Sequence, residues 1–218
     1  MSFTSTFDFN CPAYPDDDRD DDLDVPDVQF GDVVTAPGFE KIVSFAKPQT
    51  TVTFIVDTED IKQTFLVHKN VACAHSPFFK AAFESDMIEG MTQSMGLEDG
   101  EADVFGRLVD WLYNKEVNGA DPFDKKNKVD DVVTLAKLWK LAERTLMPNL
   151  QNATVQKICS EIRRTPLEEF IKLCRIVFKD KEDNALKKFV VYVAAIQLSD
   201  DNFSFIVGRL PAAMSDDM

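Results

Sequence analysis

The chain has 218 residues, 44% of them hydrophobic and 28% charged, enough length and apolar content to bury a core in one or two domains. Its formal net charge is −14, but residues 1–30 hold nine Asp against one Arg, so that segment supplies −8 and the remainder −6. A mildly acidic body argues against nucleic-acid binding, which needs Lys and Arg to displace phosphate counterions. The longest apolar run, Phe189 to Ile196, falls far short of the roughly 20 residues that cross a bilayer.

The N-terminus, MSFTSTFDFN, is polar and lacks a basic stretch followed by an apolar one, so it is not read as a secretory signal. Residues 1–38 contain Pro12, Pro15, Pro26 and Pro37 and the run DDDRDDDLD, and are expected to form a disordered acidic tail. Such a tail serves solubility; the alternative is an arm that docks a basic partner through the interleaved Phe3, Phe7, Phe9 and Tyr14.

From Thr51 the pattern changes. Thr51–Val56 and Thr64–His68, separated by the turn-like DTED, read as a β-hairpin. Ser76-Pro77 marks a helix start, with Ser as cap and Pro at the first helical position. Phe78, Phe79, Ala82 and Phe83 then recur at helical spacing. Gly90 and Gly96 punctuate the next stretch, and Met95–Leu97 suits a short strand. Ala102–Lys115 places Val104, Phe105, Leu108, Val109, Trp111 and Leu112 on one face of a helix. Asp131–Met147 repeats the pattern through Leu135, Leu138, Trp139 and Ala142, and stops at Pro148. Leu150, Val155, Ile158 and Ile162 mark another helix. Thr165-Pro166-Leu167-Glu168 reads as a capping box opening one more, with Pro at its first position. Ala185–Gln197 and a short Phe203–Leu210 complete the series. A small early sheet followed by a pile of helices is an α+β fold, not an alternating doubly wound one.

Chemistry-bearing constellations are sparse. His68 and His75 bracket Cys73, but zinc needs three or four ligands and no second cluster stands at structural-site spacing. Cys73 lies among Val71, Ala72 and Ala74, as a small buried hydrophobe would. There is no Gly-rich phosphate loop, GxSxG elbow or HExxH, so no catalytic, cofactor-binding or metal-binding residue is assigned. Cys11, Cys73, Cys159 and Cys174 show no paired spacing, which suits free thiols and an intracellular protein of cytoplasm or nucleus.

The stretches FLVHKNVACAHSPFFKAAFES and MIEGMTQSMGLEDGEADVFGRLVDWLYNKEV together resemble the BTB/POZ domain in its fungal form. Val67-His68-Lys69, Ser76 with Phe78-Phe79, Phe83, Leu97 to Asp99, Phe105 and Trp111-Leu112-Tyr113 carry the likeness. LAKLWKLAERTLMPNLQNATVQKI is similar to the helical pair that closes that domain. The resemblance covers roughly residues 48–160, with its core at 52–118, and leaves residues 161–218 as a C-terminal helical extension too short for a propeller.

What the resemblance implies is a BTB/POZ fold that binds other proteins, without catalysis, as adaptor or assembly factor and commonly as a homodimer. Many family members recruit a cullin scaffold of a ubiquitin ligase through an apolar–any–Glu motif after the Ser-aromatic helix. Met87-Ile88-Glu89 fits that triplet, making Met87 and Glu89 candidate partner contacts. One departure stands out. Thr51 or Thr53 occupies the position where the family often carries an acid contributing to a charged dimer pocket.

Overall fold

The computed structural model describes residues 43–58, 61–98, 101–117, 131–179 and 183–197, together with Arg209 and Pro211. The expected acidic tail and all but Arg209 of the expected helix at 203–210 lie outside the described residues.

Two strands, β1 (Thr51–Thr58) and β2 (Ile61–His68), form the expected hairpin, each longer than the sequence pattern indicates. They pair antiparallel from Thr51 opposite His68 to Thr58 opposite Ile61. A third strand, β3 (Ser94–Glu98), runs parallel to β1 on its other side, giving the order β2-β1-β3. The parallel pairing requires a crossover, and the chain between β2 and β3 supplies it as three short helices: α1 (Lys69–His75), α2 (Pro77–Phe83) and α3 (Ile88–Thr92).

Strand alternation decides which face is covered. Val52, Phe54 and Val56 of β1 are fully buried, while Thr51 and Asp57 are exposed. Phe54 lies at the centre: its ring meets those of Phe79, Phe83 and Phe105 at centroid distances of 4.9, 5.4 and 5.0 Å. The aromatic spacing seen in the sequence therefore docks α2 and α4 (Ala102–Asn114) onto one face of the sheet. Phe79 and Trp111 are buried, as their helical periodicity demands.

The remaining helices are α5 (Val132–Arg144), α6 (Pro148–Glu161) with a 3-10 turn at Ile162–Arg164, α7 (Leu167–Val177) and α8 (Ala185–Gln197). Asp131 caps α5, its Oδ1 accepting from the Val133 amide at 3.0 Å. The α5 helix ends earlier than the expected Met147: Leu146 adopts the left-handed conformation (φ 54°) and Met147 N–H bonds back to Ala142 O at 2.8 Å. That closing turn is the motif usually served by Gly, and Pro148 then opens α6. Packing of α5 against α4, α6 and α7 joins both halves, and the buried side chains from Val52 to Ala194 form one hydrophobic cluster.

One local expectation is corrected. The capping box at Thr165 is not made: Pro166 is the cap residue, and the Thr165 hydroxyl donates backwards to Glu161 O at 3.0 Å. The hydroxyl is taken by a carbonyl at the end of the preceding helix and so does not serve the next one. Cys73 and Cys174 are free thiols, as their lack of paired spacing suggests.

Candidate functional site

Met87, Ile88 and Glu89 lie where α2 turns into α3. Ser85 shapes the turn: its hydroxyl donates to Ala82 O at 2.8 Å and accepts from Met87 N–H at 3.2 Å. Gly90 makes the turn close, since a Cβ there would stand 1.8 Å from Ser85 O, which no side chain can occupy. Beyond α3, Gln93 sits at φ 51° and its amide donates to Gly90 O and, at 3.1 Å, to Phe83 O. Lys69 Nζ reaches the same Phe83 oxygen at 2.8 Å.

The result is an uncovered apolar ridge. Met87 is 69% exposed, Ile88 70% and Met91 79%, while Glu89 beside them is partly exposed. The structure thus brings Met87 and Glu89 together on one corner, as their adjacency requires. It adds Met91, one helical turn beyond Met87 and bonded to it by Met91 N–H to Met87 O at 2.9 Å. Ile88 and Met91 are the members that sequence reasoning passed over. Their signal was the i, i+1, i+4 spacing of Met87, Ile88 and Met91, masked by Gly90, which reads as a helix breaker. Exposed Met suits a contact surface because its unbranched, polarisable side chain adapts to irregular pockets.

The histidines and Cys73 do not converge. His68 Nδ1 lies 2.9 Å from the hydroxyl of Tyr113, which also accepts the His68 amide at 3.0 Å. His75, at the other end of α1, accepts instead from Lys115 Nζ at 2.7 Å, with its ring edge-on to Trp111. Burial, and then the Lys115 charge, lower the His75 pKa to about 4, so the ring is neutral at physiological pH. Burial raises the Cys73 thiol above its ordinary value, the reverse of nucleophile activation.

At the position of the family's acid, Thr51 is exposed at the start of β1 and Thr53 is partly buried, opposite Leu66 on one side and Ser94 on the other.

Comparison with known proteins agrees with the fold. The BTB/POZ domain family model matches residues 41–162, more than half of the chain. Kelch-like protein 40 of Xenopus tropicalis is 32% identical over 77 residues, which are 35% of this chain and 12% of that protein. Kelch-like protein 40a of Danio rerio is 29% identical over 105 residues, 47% of this chain and 16% of that protein. Kelch repeat and BTB domain-containing protein 4 of Mus musculus is 32% identical over 88 residues, 40% of this chain and 16% of that protein. The match thus spans 12% to 16% of the length of these relatives, all of them animal proteins, which lend no support to a fungal-type assignment. Sheet, crossover, closing helical pair and family match agree: the chain belongs to the BTB/POZ family, whose domain is a protein–protein interaction module.

Proposed function

We propose that this chain is a non-catalytic adaptor or assembly factor, with residues 48–160 as the binding module and residues 161–218 as a helical extension packed on it. Its address in this reading is intracellular, in cytoplasm or nucleus, and rests on the family alone. The fungal form of the domain rests on the resemblance of the strand–helix segment alone. One observation carries the reading: an apolar ridge of Met87, Ile88 and Met91 left uncovered on an interaction fold.

The more specific reading is a substrate-recruiting adaptor of a cullin-RING ubiquitin ligase. Met87 and Glu89 favour it, since the exposed thioether can fill a pocket while the neighbouring carboxylate orients the partner. The test is binding of the purified chain to the N-terminal region of a cullin scaffold. Met87→Ala combined with Glu89→Ala should weaken binding by about 2 kcal/mol, roughly thirtyfold, without lowering the melting temperature. No binding by the intact chain would sink the cullin reading and leave the adaptor.

The family's homodimer is the second partner reading. With Thr51 and Thr53 in place of the family's acid, its charged pocket draws no carboxylate from those positions. Light scattering at the mass of one copy would rule the homodimer out, and at two copies would establish it.

A further inference from the structure

Helix α3 has five residues and none of them is buried. A helix of that length has no independent stability, and with no side chain in the core, packing cannot supply it. Something else holds it.

The hydrogen bonds at the end of α2 identify what. The last carbonyls of a helix lack intrahelical partners, and here they are taken by side chains. Ala82 O accepts from Ser85 Oγ, and Phe83 O accepts from both Lys69 Nζ and Gln93 Nε2. Lys69 comes from the start of α1 and brings a cation to the negative end of α2, which favours the contact. Gln93 follows α3 directly, and its amide nitrogen has two hydrogens, one for Phe83 O and one for Gly90 O inside α3. The Gln93 backbone is left-handed, a conformation that Gly would adopt without the penalty a Cβ brings. Gly would serve the backbone but could not reach two carbonyls.

We infer that Lys69 and Gln93 are positioning residues for the partner-facing ridge, holding α3 in place through one shared acceptor, the Phe83 carbonyl. The inference rests on the reading of α3 as a partner face, but its physical content can be measured without a partner. The Lys of the Val-His-Lys segment then has a task within its own subunit: Lys69 anchors the corner from which Met87, Ile88 and Met91 project.

The experiment is backbone order by nuclear magnetic resonance relaxation at residues 88–92 of the full chain, paired with affinity for the cullin fragment. Lys69→Met and Gln93→Met keep side-chain bulk and remove the donors; Lys69→Arg keeps a donor. In each Met variant the order parameters should fall from about 0.85 towards 0.6 or lower, and stay native in Lys69→Arg. Val71→Ala, a core truncation in α1, should lower the melting temperature and leave α3 ordered. Affinity for the cullin fragment should fall about tenfold in the Met variants, through loss of pre-organisation. Native order at α3 in both Met variants would overturn the inference, as would equal loosening by Val71→Ala. Failure of the intact chain to bind the cullin fragment would remove the partner reading alone, and the order parameters would still decide the clamp. Gln93 is only partly buried, so Gln93→Met keeps the test open if Lys69→Met does not fold.

Discussion

The hydroxyl of Ser76 accepts the Phe79 amide hydrogen at 3.0 Å and donates to the Thr145 carbonyl at 2.6 Å, so one side chain starts α2 and fastens it to the end of α5. The first bond could be read from Ser-Pro at a helix start; the second could not, because it crosses 69 residues of sequence. Both lie in the fully buried Ser76 environment, where a lost partner is not replaced by water. Ser76→Ala should therefore cost about 1–3 kcal/mol, seen as a lower urea midpoint at unchanged slope. An unchanged midpoint would mean that the two bonds add nothing to stability.

His75 gives a pH dependence whose sign follows from its surroundings. Its folded-state pKa, about 4, lies below the ordinary 6.5, so the unfolded chain binds the proton more readily. The stabilising contribution is complete above pH 6.5 and is lost as pH falls from there towards 4. Other groups facing the ring are Lys115, which a protonated His75 would repel, and the apolar Trp111. Denaturant midpoints of the wild type should drop more between about pH 7 and pH 5 than those of His75→Gln. Equal drops in the two proteins would show that His75 is not the group responsible. No sequence pattern marks this residue, since its shift comes from burial and from a Lys 40 positions away.

At the scale of elements, the hairpin, α4 and α8 were legible because each repeats an apolar pattern at its own period over many residues. Helix α3 was not: five residues are too few to show a period, and Gly90 argues against a helix on propensity. Yet Gly90 is what lets α3 close on the preceding turn, with its Cα facing Ser85 O. Gly90→Ala should open the α2–α3 corner and weaken any partner bound at Met87 by about tenfold or more. Because α3 buries no side chain, the melting temperature should fall little. Partner affinity at wild-type strength would mean that the corner tolerates the opening. The capping box at Thr165 fails for the opposite reason: a four-residue signature was present, but a carbonyl on the preceding helix competed for the hydroxyl and won.

At the scale of the whole molecule, the C-terminal helices share the core of the binding module. Phe170, Leu173, Cys174 and Val177 of α7 belong to one cluster with Leu138 and Trp139 of α5, and Lys140 Nζ is tied to Ile176 O at 2.7 Å. A chain ending after Arg164 would expose the α7-facing side of α5, removing more burial than a margin of about 5–15 kcal/mol absorbs. It should lose the cooperative melt of the full chain and bind a hydrophobic dye. A cooperative melt at the original temperature would instead mark residues 165–218 as an independent appendage.

By itself the sequence determined the class of the fold, the identity of most elements, the buried aromatics and the adjacency of Met87 and Glu89. All of these depend on residue type at short, regular spacing, which a linear chain displays directly. The tertiary structure alone decided that β3 pairs parallel to β1, that Ile88 and Met91 join Met87 in one exposed ridge, and that Lys69 and Gln93 meet on the carbonyl of Phe83. Those contacts join backbone groups and side chains of distant or aperiodic segments, and backbone carbonyls look alike in every sequence until folding places a donor beside one of them.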